Sequence, residues 1–490
     1  MTTQLDVLLA ERALATGRAQ LRATVRHVHL SKRPMFLVAF QPAAEPFSAL
    51  GVALGQSAKD VIKAVVIEPR NRTLLFRAML PVAQRFNAWM RSFAGERVPI
   101  GRNDDDDRER TVDAPQLIVA NSGMVNLLEH WGRRFAYLQT SGAEPADPAL
   151  VEFGRHLQFL AGHASMPGQA IVVPATALLR RHFRTGQSDL EDENLAALDA
   201  WVAPPAGTTG QAASLNVEDI AVGPLLQPDD DNEAHGLIAN FGKERKGSTD
   251  EALVRRLEPA LHALMAPHLN RAFGLVSRAP KHVAELPEGS SVAGRWVDDC
   301  IAYTGHVDWT SSGGFRRARD SAQRAARLRL RLEKAQGRLE AEEAADDPLT
   351  MAGYELIGKA IHGRIVSVDP SHKDGPRKIR PLIVLETEHP SLIPSAKALW
   401  WSERPGQLRA EVVSTASHGK GSRVTLKVTA GMRGDLPVKS KTAWFCQLSA
   451  SSGGPSLPIP KEVPWTHKAQ FSSTPATIET GPSDRWEETP

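Results

Sequence analysis

One pattern recurs in the first 200 residues and restricts what this chain can fold into. A short, continuous, β-branched apolar run is followed by a small or polar break and then by apolar residues at helical spacing. AVVIEP (Ala64–Pro69) leads into RNRTLLFRAMLPVAQRFNAWM, QLIVAN (Gln116–Asn121) into SGMVNLLEHWGRRFAYL, and AIVVPA (Ala170–Ala175) into TALLRRHF. Apolar runs without alternation suit strands buried on both faces. Strands that alternate with helices predict βαβ units on a mostly parallel sheet. Another apolar stretch, Met35–Phe40, precedes the series, and Asn121 or Ser122 is placed to cap the second helix.

The hydrophobic period then changes twice. Pro, Gly and acidic residues crowd residues 203–233, which reads as a linker or an irregular excursion after an α/β domain at 1–202. Residues 234–347 read as helical. Ser248 and Glu251 form a capping-box pattern there, and Pro267 is expected to end or kink the helix that follows. From 355 to 449 the period is two, with Val424, Leu426 and Val428 alternating with Thr425, Lys427 and Thr429. Five or six short strands in that length predict a small basic β-barrel of the OB or SH3-like kind. Ser, Pro, Gly and Thr dominate 450–490, which reads as a disordered tail. The fold class expected is thus an α/β domain, a helical middle segment, a small barrel and a tail.

Charge carries the functional information. The net charge of the 490-residue chain is only +3. Between Lys359 and Lys441, however, fifteen Lys and Arg face seven Asp and Glu, a local balance of +8. The helix predicted at 315–345 adds a second concentration. Arg324, Arg327, Arg331, Lys334 and Arg338 follow 3-4-3-4 spacing and share one stripe, with Arg316 and Arg317 on or beside it. Ala325, Leu328, Leu332, Ala335 and Leu339 form an adjacent apolar seam, expected to dock on protein. A ridge of like charge repels itself, and a polyanion relieves that repulsion while releasing counterions. The same pattern also describes an ordinary solvated helix or a coiled-coil flank, and the acids at 340–347 are available to pair with the arginines.

Small barrels bind single strands by joining a positive groove to exposed rings. Lys373, Arg377, Lys378 and Arg380 surround one predicted turn, and Lys420, Arg423 and Lys427 another. Trp400 and Trp401 are adjacent on one strand, so they point to opposite faces. Trp401 is taken here as the candidate stacking ring.

Catalytic signatures are missing. GxxxxGK before Ser or Thr, GxGxxG, HExxH and GxSxG do not occur, and no catalytic residue, metal site or cofactor is assigned. His27-x-His29 is read as structural. One ligand position remains, at the carboxyl ends of the predicted strands, where Arg70, Arg72, Asn121, Ser122 and Gly123 are candidates for holding a phosphate. Two cysteines give no disulfide framework, and no apolar run is long enough to span a membrane. A cytoplasmic location is therefore expected. These features predict a nucleic-acid-binding accessory protein of a bacterial DNA- or RNA-processing or phage-defence complex, working beside a separate helicase or nuclease. The alternatives are an enzyme acting on a nucleotide or phosphorylated substrate through the α/β domain, and an interaction protein that self-associates through helix 315–345.

Overall fold

The structure is a computed structural model that describes residues 4–100, 108–142, 145–244, 251–314, 322–376, 378–404, 406–432 and 434–449. The expected tail at 450–490, Arg316, Arg317, Arg377 and Ser248 lie outside the described residues.

The N-terminal sheet has five strands: β1 (Met35–Phe40), β2 (Gly51–Gly55), β3 (Ile62–Val65), β4 (Leu117–Val119) and β5 (Val172–Pro174), in spatial order β3-β2-β1-β4-β5. The β1–β4 and β4–β5 pairings are parallel, whereas β1–β2 and β2–β3 are antiparallel. The sheet is therefore mixed, not mostly parallel. The run at Ala64–Pro69 is the source of the difference. Pairing uses Ile62–Val65 as an edge strand in a meander with β2, and Val66 and Ile67 leave the sheet although they are buried. All six residues of β1 are buried, as its unbroken apolar run requires.

Three helices, Arg72–Arg91, Ser122–Ala136 and Pro148–Ala164, pack on one another through Phe86, Phe135 and Phe153. Asn121 caps the second, its Oδ1 accepting from Met124 N at 3.1 Å. A long helix, Glu251–Val283, crosses the sheet, with Phe273 and His268 meeting Phe36 and Phe40 edge to face. Pro259, Pro267 and Pro280 all lie inside this helix, so Pro267 does not end it. Val222, Leu226 and residues of the helices Glu251–Val283 and Val292–Ser311 belong to the same hydrophobic core as the sheet. Residues 203–233 are thus anchored to the α/β layer at Val222 and Leu226, and the helices Glu251–Val283 and Val292–Ser311 share one core with it.

The C-terminal part is built from six strands, β6 (Ala360–Asp369), β7 (Leu382–Glu386), β8 (Ala398–Trp401), β9 (Arg409–His418), β10 (Gly421–Ala430) and β11 (Thr442–Cys446). Every pairing is antiparallel, in the order β6-β7-β10-β9-β8-β11, and β11 pairs back onto β6 to close the ring. Alternation decides which residues face in. Ile361, Ile383, Leu385, Leu399, Trp401, Val424, Leu426, Val428 and Phe445 fill the interior.

The two parts meet at Asp347. Its carboxylate caps the helix Pro348–Leu356 through Leu349 N at 3.1 Å. It also accepts from Thr350 Oγ1 at 2.7 Å and, across the junction, from Thr24 Oγ1 at 2.6 Å. His27 lies beside it, 3.6 Å from Nε2 to Oδ2, and these contacts hold the Asp347 carboxyl far below the usual range against the opposing effect of burial. His29 instead stacks on Trp296 at 4.2 Å. Both histidines of the His27-x-His29 pair are engaged in packing.

Candidate nucleic-acid interface

The helix Ala322–Asp346 is divided along its length. Its buried residues are Leu339, Ala341, Glu342 and Ala344, all in the last two turns. From Ala322 to Arg338 every residue is exposed or half-buried. The apolar seam expected to dock on protein does so only at Leu339; Ala325 is exposed, and Leu328, Leu332 and Ala335 are half-buried. None of the described residues in the N-terminal half of the helix is fully buried.

The acids explain this division. Glu342 accepts from Arg295 Nη1 at 2.9 Å, Glu343 pairs with Arg181, and Asp346 accepts from Ser290 and Ser291. They answer groups of the N-terminal body, and Arg338 of the predicted ridge shares Glu342 with Arg295. Arg338 bonds Glu342 at 2.6 Å and Asp298 at 2.8 Å, and these carboxylates raise its pKa against the effect of burial. It belongs to the root of the helix and is withdrawn from the interface. Arg324, Arg327 and Arg331 remain exposed on one stripe, with Lys334 half-buried beneath them. Arg327 and Arg331 have no ion pair among the described residues. The Arg329–Glu333 pair, at 3.1 Å, lies off that stripe.

Strand register separates the basic residues of the barrel into two ends. Leu382 pairs with Lys427, and Glu386 with Arg423. At the Arg423 end, the Glu386 carboxylate receives Arg423 at 2.5 Å, His418 at 3.0 Å and Arg364 at 3.2 Å. That cluster is largely answered from within, and Lys420 is exposed at the hairpin tip beside it.

The other end is different. Arg380 Nη1 donates to Thr429 O at 2.5 Å, Thr429 Oγ1 donates to Arg409 O at 3.3 Å, and the Arg409 guanidinium lies 5.6 Å above the Trp400 ring. Lys427 pairs with Asp374 at 3.0 Å, which ties the turn carrying the exposed Lys373 and Lys378 to the same end. Arg380 and Lys427 thus each have a partner in the chain, and they lie toward the end of the barrel where Arg409 covers the Trp400 indole.

Trp401 is not that indole. It is 6% exposed and points into the barrel, so it cannot offer its ring to a base. Trp400 takes the outward position, and Arg409, which sequence reasoning did not single out, is its neighbour through the β8–β9 register.

The strand-end candidates also part company. Asn121 Nδ2 donates to Gly223 O at 2.8 Å, and a Cβ on Gly123 would sit 3.0 Å from Pro224 Cδ. The 223–224 loop therefore packs against Asn121 and Gly123, whereas Ser122 stays exposed. Arg70 and Arg72 instead line a separate cavity.

Comparison of the chain with known protein families, curated proteins and solved structures finds no match. Among the described residues, no helix is long and apolar enough to cross a membrane, and no cluster of three His, Cys, Asp or Glu is arranged to hold a metal.

Proposed function

We propose that this protein binds nucleic acid through the N-terminal half of the helix Ala322–Asp346 and through the Trp400 end of an OB-like barrel. In this reading it acts as the non-hydrolysing partner of a separate helicase or nuclease. One observation carries the proposal. Arg324, Arg327 and Arg331 lie exposed on a helix half with no buried residue, while Glu342, Glu343 and Asp346 near the other end are engaged with the body. An exposed cationic stripe of this kind gains from phosphates, whose counterions are released on contact.

Binding is measured by fluorescence anisotropy with labelled single- and double-stranded DNA and RNA at rising salt. Micromolar or tighter affinity at about 50 mM salt, falling steeply as salt increases, is the expected result. Reversing Arg324, Arg327 and Arg331 to Glu should flatten the logarithmic salt dependence by about two to three units. Absence of binding at low salt, or an unchanged slope in the triple variant, would sink the proposal.

Trp400→Ala tests the barrel surface separately. Loss of one stacked base, worth about 1–3 kcal/mol, should weaken single-strand binding by roughly 5- to 100-fold and leave the melting temperature nearly unchanged. Trp401→Ala should instead lower the stability of the barrel, because it removes a core ring.

A further inference from the structure

A cavity of about 560 Å³ opens where β1 and β3 end and the helix Arg72–Arg91 begins, with the helix Pro228–Glu244 as its far wall. Its size is in the range of small-molecule sites. Glu68 lines it and is only 9% exposed. Among the described residues, the Glu68 carboxylate has no hydrogen bond or ion pair. The carboxylate thus faces the cavity without a donor from the described residues, although Arg70 lies near enough to feel its charge, and a bound molecule can supply those donors. The helix Pro228–Glu244 comes close to the carboxylate at Gly242, where a Cβ would touch Glu68 Oε2 at 4.0 Å.

The mouth of the cavity has the opposite character. Arg70 is held by Glu45, but Arg72 has no ion pair among the described residues, and its guanidinium lies 5.1 Å over the Phe76 ring. Arg72 is the first residue of its helix, and that first turn contains no acid. A cation there opposes the helix dipole and adds to a positive potential instead of cancelling it. Arg134 adds further positive charge, and burial together with repulsion from Arg72 disfavours its charged form. An anion beside Arg72 would relieve its repulsion with Arg134.

We infer that the cavity binds a mononucleotide whose base presents adjacent N–H donors, the edge found on guanine, with Glu68 accepting those donors and Arg72 contacting the phosphate. A carboxylate offers two acceptors in one plane, which matches paired donors, and a guanidinium matches a phosphate. This site is distinct from the nucleic-acid surface and does not depend on it.

The test uses the full chain, with GMP, GTP, AMP and ATP as probes in thermal-shift and calorimetric titrations. Guanine nucleotides should raise the melting temperature by several degrees at saturation, because ligand bound to the folded state stabilises it. Adenine nucleotides should bind at least tenfold more weakly. Glu68→Gln should erase most of that preference. Arg72→Ala, an exposed change that leaves the core untouched, should weaken GMP at least tenfold. Arg331→Glu, on the distant helix, should leave GMP affinity unchanged. No response to millimolar GMP and GTP, equal binding of guanine and adenine nucleotides, or loss of GMP binding in Arg331→Glu would overturn the inference.

Discussion

Gly154→Ala is expected to cost more than about 3 kcal/mol of stability, among the largest effects a single methyl group produces. The reason is a crossing of two helices at backbone contact. A Cβ on Gly154 would lie 2.1 Å from Ala136 N and 2.5 Å from Phe135 C, and one on Gly132 would lie 2.9 Å from Gln158 N. Each helix contributes a glycine where the other passes, so neither can yield by rotating a side chain. The helices must separate, and Phe135 and Phe153, which meet across the crossing, separate with them. A drop of roughly 6–10 °C in melting temperature is expected. Gly274→Ala is the control. No atom lies within 4 Å of a Cβ there, and the site is inside the helix Glu251–Val283, so the change should stabilise by about 0.5–1 kcal/mol. Equal effects at the two positions would contradict the crossing geometry.

Acidification should unfold the N-terminal part well before most of its carboxylates titrate. Burial pushes His182 down to about 4 and His306 down to about 3. His306 stacks on Phe159 and shares a 2.9 Å hydrogen bond with His156, an arrangement in which one imidazole keeps a lone pair. In the unfolded chain both rings take protons near pH 6.5. The unfolded state therefore binds more protons between pH 6.5 and the depressed folded values, and stability falls as pH falls through that window. By pH 5 each ring costs roughly 2 kcal/mol. Asp347 has a depressed pKa too, but as a carboxylate it withdraws its contribution only below about pH 4, so its loss follows the histidines. Melting temperatures recorded from pH 8 to pH 4 should decline steeply below pH 6.5. A flat profile down to pH 5 would show that the rings are not buried neutral.

Much of the fold was legible because hydrophobic period reports burial. The runs at Met35–Phe40, Leu117–Val119 and Val172–Pro174 are strands, and the switch to alternation after Gly358 marks a six-stranded ring. The meander was not legible. β2 is GVALG, whose glycines and alanine give no strand signal, yet its presence turns Ile62–Val65 into an antiparallel edge. The candidate interface divides in the same way. Spacing placed Arg324, Arg327 and Arg331 on one stripe, because that follows from 100° per residue. It could not show that Arg338 answers Asp298, forty positions earlier, since that pairing is tertiary. Adjacent tryptophans had to face opposite ways, but only the barrel register decides that Trp401 goes in and brings Arg409 beside Trp400.

The helix Ala322–Asp346 is a cantilever. Its root is clamped by Arg295, Arg181 and Ser290, and the span from Ala322 to Arg338, none of it fully buried, extends roughly 25 Å at 1.5 Å per residue. A beam fixed at one end inherits its azimuth from the clamp. The bearing of the outer guanidinium groups is thus set by the seating of Arg338, Leu339 and Glu342, carried outward at about 100° for each residue. Two residues inserted between root and tip would swing the whole row to the opposite side, while seven would carry it farther out on nearly the same heading.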